Sequence, residues 1–205
     1  MIRIKICGIT NEQDALLACQ LGADALGFVF YERSPRFISV QKAQAIMAKL
    51  PPFVSVVGLF VNASKPFIDE ILKQLPLDIV QFHGDESALF CQSFDRPYIK
   101  AVRVQTREDI LMAQHDFATA RALLFDAHVK DTYGGTGQRF DWGILPEQIN
   151  MPWVLSGGLT PDNVGEAVTL THALAVDVSS SVESEKGVKC PQKLAAFFEG
   201  VHRAR

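Results

Sequence analysis

An eight-stranded parallel β/α barrel is predicted by two features of the 205-residue chain: eight short apolar runs, and eight stretches of helical spacing that alternate with them throughout. The opening strand adds a third. In Ile2-Arg3-Ile4-Lys5-Ile6-Cys7 the isoleucines share one face, so Arg3, Lys5 and Cys7 share the other, because side chains alternate along a strand. If the isoleucines meet a helix layer, Cys7 ends its strand pointing inward, just before Gly8 breaks the pattern.

The apolar runs are 2–7, 25–30, 53–61, 78–82, 98–104, 122–126, 152–155 and 173–178. The helical stretches are 12–20, 40–50, 65–74, 86–94, 107–117, a short one at 141–146, 161–170 and 191–202. Local signals mark several helix starts: Thr10 with Gln13 as a capping box, Ser39, Ser64, Asp85, and Thr160 followed by Pro161 at the first helical position. An open doubly wound sheet is the competing architecture, but no G-x-G-x-x-G follows Cys7, and eight near-equal units favour closure. The length lies near the lower limit for such a barrel, so the loops must be short.

With 48% hydrophobic residues the chain can bury one sizeable core, and residues 1–205 are expected to form a single domain. A net charge of -3 provides no broad basic surface for nucleic acid. The first residues already read as a strand, not a signal or transit segment, and no apolar run approaches the roughly 20 residues a membrane helix needs. A cytoplasmic protein with a small-molecule ligand is expected, without membrane or nucleic-acid partners; monomer and homodimer are equally open. Cys7, Cys19, Cys91 and Cys190 form no C-x-x-C pair, which predicts reduced thiols and no zinc knuckle.

A barrel assembles its chemistry from residues that end its strands. Those residues are Cys7, His83 in Gln81-Phe82-His83-Gly84-Asp85-Glu86, Asp126 in Leu124-Phe125-Asp126, and Asp177. Asp126 lies two beyond Leu124 and His83 two beyond Gln81, so each shares a face with its predecessor. Cys7 taken alone is as well read as a small buried hydrophobe, but Lys5 one pleat below would stabilise a thiolate able to abstract a proton. Asp126 could cap the turn that follows it. To donate a proton instead, it must be raised from about 3.9 by burial; three units correspond to about 4 kcal/mol, within the reach of desolvation.

Ser156-Gly157-Gly158-Leu159-Thr160-Pro161 ends the seventh strand and opens a helix, reading either as a tight turn or as a phosphate cradle of backbone N–H groups. The eighth strand ends in Asp177-Val178-Ser179-Ser180-Ser181, and the loops after strands seven and eight are where this barrel class binds phosphate. The planar fork of Arg36 suits a carboxylate or phosphate, against the plainer reading of a solvated loop arginine. His83 reads equally as a ligand contact or a satisfied strand-end histidine. A metal set from His83, Asp85, Glu86 and His128 lacks any recognised ligand spacing, and none is expected.

These residues together resemble the phosphoribosylanthranilate isomerase family of tryptophan biosynthesis. The likeness runs in order along essentially the whole chain: Lys5-Ile6-Cys7-Gly8-Ile9-Thr10, Gly27-Phe28-Val29-Phe30, Ser34-Pro35-Arg36, Val57-Gly58-Leu59-Phe60-Val61-Asn62 and Gln81-Phe82-His83-Gly84-Asp85-Glu86. It continues through Phe125-Asp126, Gly134-Gly135-Thr136-Gly137, Phe140-Asp141-Trp142, Ser156-Gly157-Gly158-Leu159 and Asp177-Val178-Ser179-Ser180. The resemblance implies Cys7 as general base and Asp126 as general acid in an Amadori rearrangement of a phosphosugar, N-(5'-phosphoribosyl)anthranilate. Arg36 would meet the anthranilate carboxylate, and His83 and Asp177 would line the pocket. Gly157, Gly158, Ser179 and Ser180 would bind the phosphate, and Gly134, Gly135, Thr136 and Gly137 would lie over the substrate. Because the substrate nitrogen serves as electron sink, no cofactor is implied.

Two positions depart from the family's usual pattern, which has Gly where Ser181 stands and commonly Asp where Cys190 stands. Two other functions remain open at this level: a metal-using sugar-phosphate epimerase on the same fold, separable by metal content, and a non-catalytic phosphosugar-binding module, separable by turnover.

Overall fold

In the computed structural model, which describes residues 2–127 and 140–204, eight parallel strands close into a barrel in chain order. They are β1 Arg3–Cys7, β2 Ala25–Val29, β3 Ser55–Phe60, β4 Ile79–Phe82, β5 Tyr98–Val104, β6 Ala122–Ala127, β7 Trp153–Leu155 and β8 Ala175–Val178. Around them lie α1 Glu12–Gln20, α2 Val40–Met47, α3 Lys65–Gln74, α4 Ala88–Gln92, α5 Arg107–Asp116, a 3-10 turn at Trp142–Ile144 and α6 Val164–Thr171. A second 3-10 turn, Ser180–Val182, leads into a small antiparallel hairpin of β9 Glu183–Glu185 and β10 Val188–Lys189, before α7 Pro191–Arg203.

Strand parity sorts the side chains into two cores. Ile4, Ile6, Phe28, Phe60, Phe82 and Phe125 are essentially inaccessible and pack outward against the helices. Each such side chain contributes about 1.5–3 kcal/mol by leaving water. Inside the barrel, Ile99, Ala101, Ala122, Leu124 and Val154 form one apolar layer, while Cys7, Val29, Leu59 and Val61 form another nearer the mouth. Closure of β1 on β8 sets Lys5 beside Asp177, and the β1–β2 register sets Cys7 beside Gly27.

The expected elements are present with altered edges. The 53–61 run shortens to β3, leaving Phe53 95% exposed in the preceding turn. Asn11, not Thr10, caps α1: its side chain accepts from the Asp14 N–H at 2.9 Å, and the Thr10 hydroxyl donates to the Gly187 carbonyl. The fourth helix starts at Ser87 and not Asp85, because Glu86 is withdrawn to accept the N–H groups of Asn62 (2.8 Å) and Gly84 (2.9 Å) and a bond from Lys100 (3.0 Å). Thr160 and Asn163 exchange side-chain-to-backbone bonds of 2.8 and 3.2 Å, so the 161–163 turn precedes a regular α6 that begins at Val164.

The hairpin is the element the periodicity did not predict. Gly187 takes φ +87°, a turn conformation that costs glycine little, and reverses the chain between two strands too short to show alternation. Beyond it, Cys190 stands at the N-cap of α7 without a side-chain cap, its thiol donating instead to Gln192 Oε1 at 3.3 Å. An aspartate there would accept a first-turn N–H. We expect Cys190→Asp to stabilise the fold by about 1 kcal/mol, seen as a Tm rise of about 2–4 °C for a chain of this size; an unchanged Tm would show the helix start already satisfied.

Candidate active site

The strand ends named from the sequence converge at the carboxyl mouth of the barrel. Cys7, at the last position of β1, is buried. A Cβ on Gly27 would stand 2.8 Å from its sulfur and 3.1 Å from Lys5 Nζ, so the missing side chain on β2 makes the space those groups occupy. Lys5 Nζ donates to Asp177 Oδ1 at 2.7 Å, and Ser156 Oγ lies 3.3 Å from Asp177 Oδ2. Burial works against the Lys5 charge, but Asp177 and the Cys7 sulfur outweigh it and hold the ammonium above its ordinary pKa.

Cys7 behaves differently from the sequence expectation. Burial pushes its thiol up; Lys5 and Lys189 pull it down, Asp177 pushes it up again, and burial prevails. Burial is the largest of these influences, and the Asp177 carboxylate paired with Lys5 adds to it. We expect peptide-resolved alkylation of Cys7 by iodoacetamide to rise with pH through a midpoint above the ordinary thiol value of about 8.5; a midpoint below neutrality would mean that the cations overcome burial.

Across the mouth, Asp126 on β6 accepts the Ala127 N–H on Oδ1 at 2.9 Å, and its Oδ2 lies 3.1 Å from His83 Nε2. His83 Nδ1 in turn lies 3.0 Å from Gln81 Nε2. An amide nitrogen can only donate, so Nδ1 accepts and Nε2 carries the hydrogen given to Asp126. Gln81 Oε1, wholly buried, has no partner among the described residues. Gly157, at φ +77°, brings its backbone against this carboxyl: a Cβ there would fall 2.4 Å from Ala127 N and 2.8 Å from Asp126 Oδ1.

The two glycines after β7 are both left-handed, Gly158 at φ +67°. Ser179, after β8, donates to the Cys7 carbonyl at 3.0 Å, and Ser180 opens the 3-10 turn. The Ser181 hydroxyl donates to the Leu159 carbonyl and so ties the β8 loop to the β7 loop, which a glycine could not do. Gly134, Gly135, Thr136 and Gly137, with His128, lie outside the described residues.

Arg36 is not a solvated loop residue. It is nearly buried, lies across Gly8, and spends Nε and Nη2 on the two oxygens of Glu183, each at 2.8 Å. Glu183 also accepts from Lys189 Nζ at 2.9 Å, and the same ammonium donates to the carbonyls of Cys7 (2.7 Å) and Ser179 (3.1 Å). Glu183 and Lys189 were not singled out in the sequence; the signal that could have found them is the Glu-Lys-Gly-Val turn at 185–188, which places two charged residues on a hairpin after the last barrel strand.

No group of three or more His, Cys, Asp or Glu among the described residues could hold a metal ion, and no described helix is long and apolar enough to cross a membrane. The fold and mouth define a β/α-barrel enzyme with a buried thiol at the end of β1 and a histidine-held carboxyl at the end of β6. The profile of the N-(5'-phosphoribosyl)anthranilate isomerase family matches residues 4–200, and the chain belongs to this family. It is an isomerase of tryptophan biosynthesis.

Relatives of that name in Neisseria gonorrhoeae and Pseudomonas fluorescens are 61% and 52% identical, covering 98% and 99% of this chain and 97% of each relative. The phosphoribosyl anthranilate isomerase of Thermotoga maritima superposes with TM-score 0.92 at 39% identity, over 99% of this chain and 100% of its own. Another isomerase structure, in complex with reduced 1-(o-carboxyphenylamino)-1-deoxyribulose 5-phosphate, has TM-score 0.85 at 36% identity over 99% and 100% of the two chains.

Proposed function

We propose that the chain converts N-(5'-phosphoribosyl)anthranilate into 1-(2-carboxyphenylamino)-1-deoxyribulose 5-phosphate, with Asp126 as general acid and Cys7 as general base. The observation that carries the reading is the placement of a buried thiol on β1 and a His83-bonded carboxyl on β6 at one barrel mouth. Asp126 protonates the furanose ring oxygen; the C1–O bond opens as the nitrogen lone pair forms an iminium. Cys7 then removes the proton from C2, and the C–H electrons form the C1–C2 double bond while neutralising the nitrogen. The enolamine then gains a proton at C1 while its C2 hydroxyl loses one, the O–H electrons forming the C=O bond of the ketone.

The hydrogen bonds supply the proton inventory. Donation from Gln81 through His83 to Oδ2 is the pattern of a carboxylate opposite a neutral thiol. Moving one proton from sulfur to Asp126 gives the reactive pair with no change in total charge. Both bonds then reverse: Oδ2–H donates to Nε2, Nδ1–H donates to Gln81, and the amide turns to present Oε1, the atom otherwise without a partner. The amide serves either state.

Substrate placement follows the mouth's two halves. Val29, Leu59 and Val61, with Tyr31 packed on them, offer an apolar wall for the anthranilate ring, and Arg36 on the same side is suited to its carboxylate. Gly157, Gly158, Ser179 and Ser180 present the loops after β7 and β8 to the phosphate. His83 and Asp177 line the polar half, and the Gly134–Gly137 segment would cover the ligand. The test is direct: purified protein without added metal should discharge phosphoribosylanthranilate fluorescence, and a preparation that binds the substrate without consuming it would overturn the reading.

A further inference from the structure

Three charged side chains, Arg36, Glu183 and Lys189, are buried together beside the catalytic thiol but take no chemical step. Burying such a cluster costs more than packing apolar groups in its place, so its geometry needs a use. A guanidinium has two edges that can each grip a carboxylate with parallel hydrogen bonds. Glu183 takes the Nε–Nη2 edge with two 2.8 Å bonds, and Nη1–Nη2 is the edge left by that pair. Glu183 is itself held from a second side by Lys189, whose ammonium also binds the Cys7 and Ser179 carbonyls.

The guanidinium plane is therefore registered to the ends of β1 and β8. Its stem is confined as well: Arg36 Cδ lies 2.5 Å from where a Cβ on Gly8 would stand, so that glycine's bareness lets the arginine cross the β1 terminus. Burial would push the Glu183 carboxyl up, but Arg36 and Lys189 overcome it and keep it below its ordinary value, so it remains an acceptor throughout the working range.

We propose that Glu183 is a specificity-positioning residue, which occupies one edge of Arg36 and thereby reserves the Nη1–Nη2 edge for a single planar carboxylate of the substrate. The inference rests on the reading of Arg36 as the anthranilate-carboxylate site. It predicts that a lysine at position 36 fails: with Glu183 in place the ammonium pairs with it and has no second edge to offer.

The experiment compares KM and kcat for phosphoribosylanthranilate and for the analogue built on aniline, which lacks the carboxylate, in Arg36→Ala, Arg36→Lys, Glu183→Gln and the Arg36→Ala/Glu183→Gln double variant. Glu183→Gln should raise KM for the carboxylate substrate about tenfold, change kcat by less than about threefold, leave KM for the aniline analogue alone, and add nothing in the Arg36→Ala background. Arg36→Lys, which keeps the buried ion pair, should lose as much affinity as Arg36→Ala and carries the test if Glu183→Gln does not fold. Equal KM increases for both ligands, additivity with Arg36→Ala, or full affinity in Arg36→Lys would overturn the proposal. If Arg36→Ala leaves both KM values unchanged, it is the carboxylate reading of Arg36 that fails.

Discussion

Cys7→Ser should lower turnover about a thousandfold while leaving affinity for the reduced product analogue within a few-fold. Serine is smaller than cysteine and enters the space bounded by Gly27 without new contacts. The Lys5–Asp177 ion pair and the bonds from Lys189 and Ser179 to the residue-7 carbonyl involve no side-chain atom of Cys7, so the binding frame survives. What is lost is the base: a hydroxyl ionises far less readily than a thiol, and a site that already pushes the thiol up holds an alkoxide still less well. Substrate fluorescence measures the turnover and analogue titration the binding. A variant retaining a tenth of the activity would remove Cys7 from the role of base.

Asp126→Asn should cost turnover by a similar factor, again with binding preserved. The asparagine oxygen can keep the 2.9 Å bond from Ala127, and its nitrogen can donate to His83 Nε2 if the imidazole shifts its hydrogen to Nδ1. That shift turns the Gln81 amide as protonation of Asp126 would, so the variant mimics the acid-loaded site without the transferable proton. A loss of analogue affinity equal to the loss of rate would show that the residue binds and does not donate. Retained turnover with unchanged affinity would exclude the acid role outright.

The two functional pairs differ in how much of them could be read along the chain. Period-two alternation in β1 already told that Cys7 shares a face with Lys5, and the same rule grouped Gln81 with His83 and Leu124 with Asp126. Alternation is a local property, dictated by backbone geometry. Lys5 does draw the thiol down, as its place one pleat below suggests, but the opposing influences are nonlocal: burial in the closed barrel, which outweighs it, and Asp177, 172 residues away, which meets the ammonium at 2.7 Å once β8 closes on β1. Arg36 and Glu183, 147 residues apart, meet in the same way, and the hairpin bearing Glu183 and Lys189 has strands too short for any periodicity to register.

Helix edges show the same division. Ser39 caps α2 as its residue type suggests, because only its own first turn is involved. Thr10, Asp85 and Glu86 are drawn elsewhere: the threonine hydroxyl serves the Gly187 turn, Glu86 braces the loops after β3 and β4, and the fourth helix begins only at Ser87.

By itself the chain determined the alternation of elements, the shared faces in the first, fourth and sixth strands and the residues that end strands at the mouth, since these depend on side-chain order and backbone period alone. Tertiary closure decided the partners: which cation meets which carboxylate, how far burial prevails over charge at Cys7, and which edge of Arg36 is left for a ligand. Electrostatic and hydrogen-bond energies depend on distance and burial in space, and neither exists until the barrel has closed.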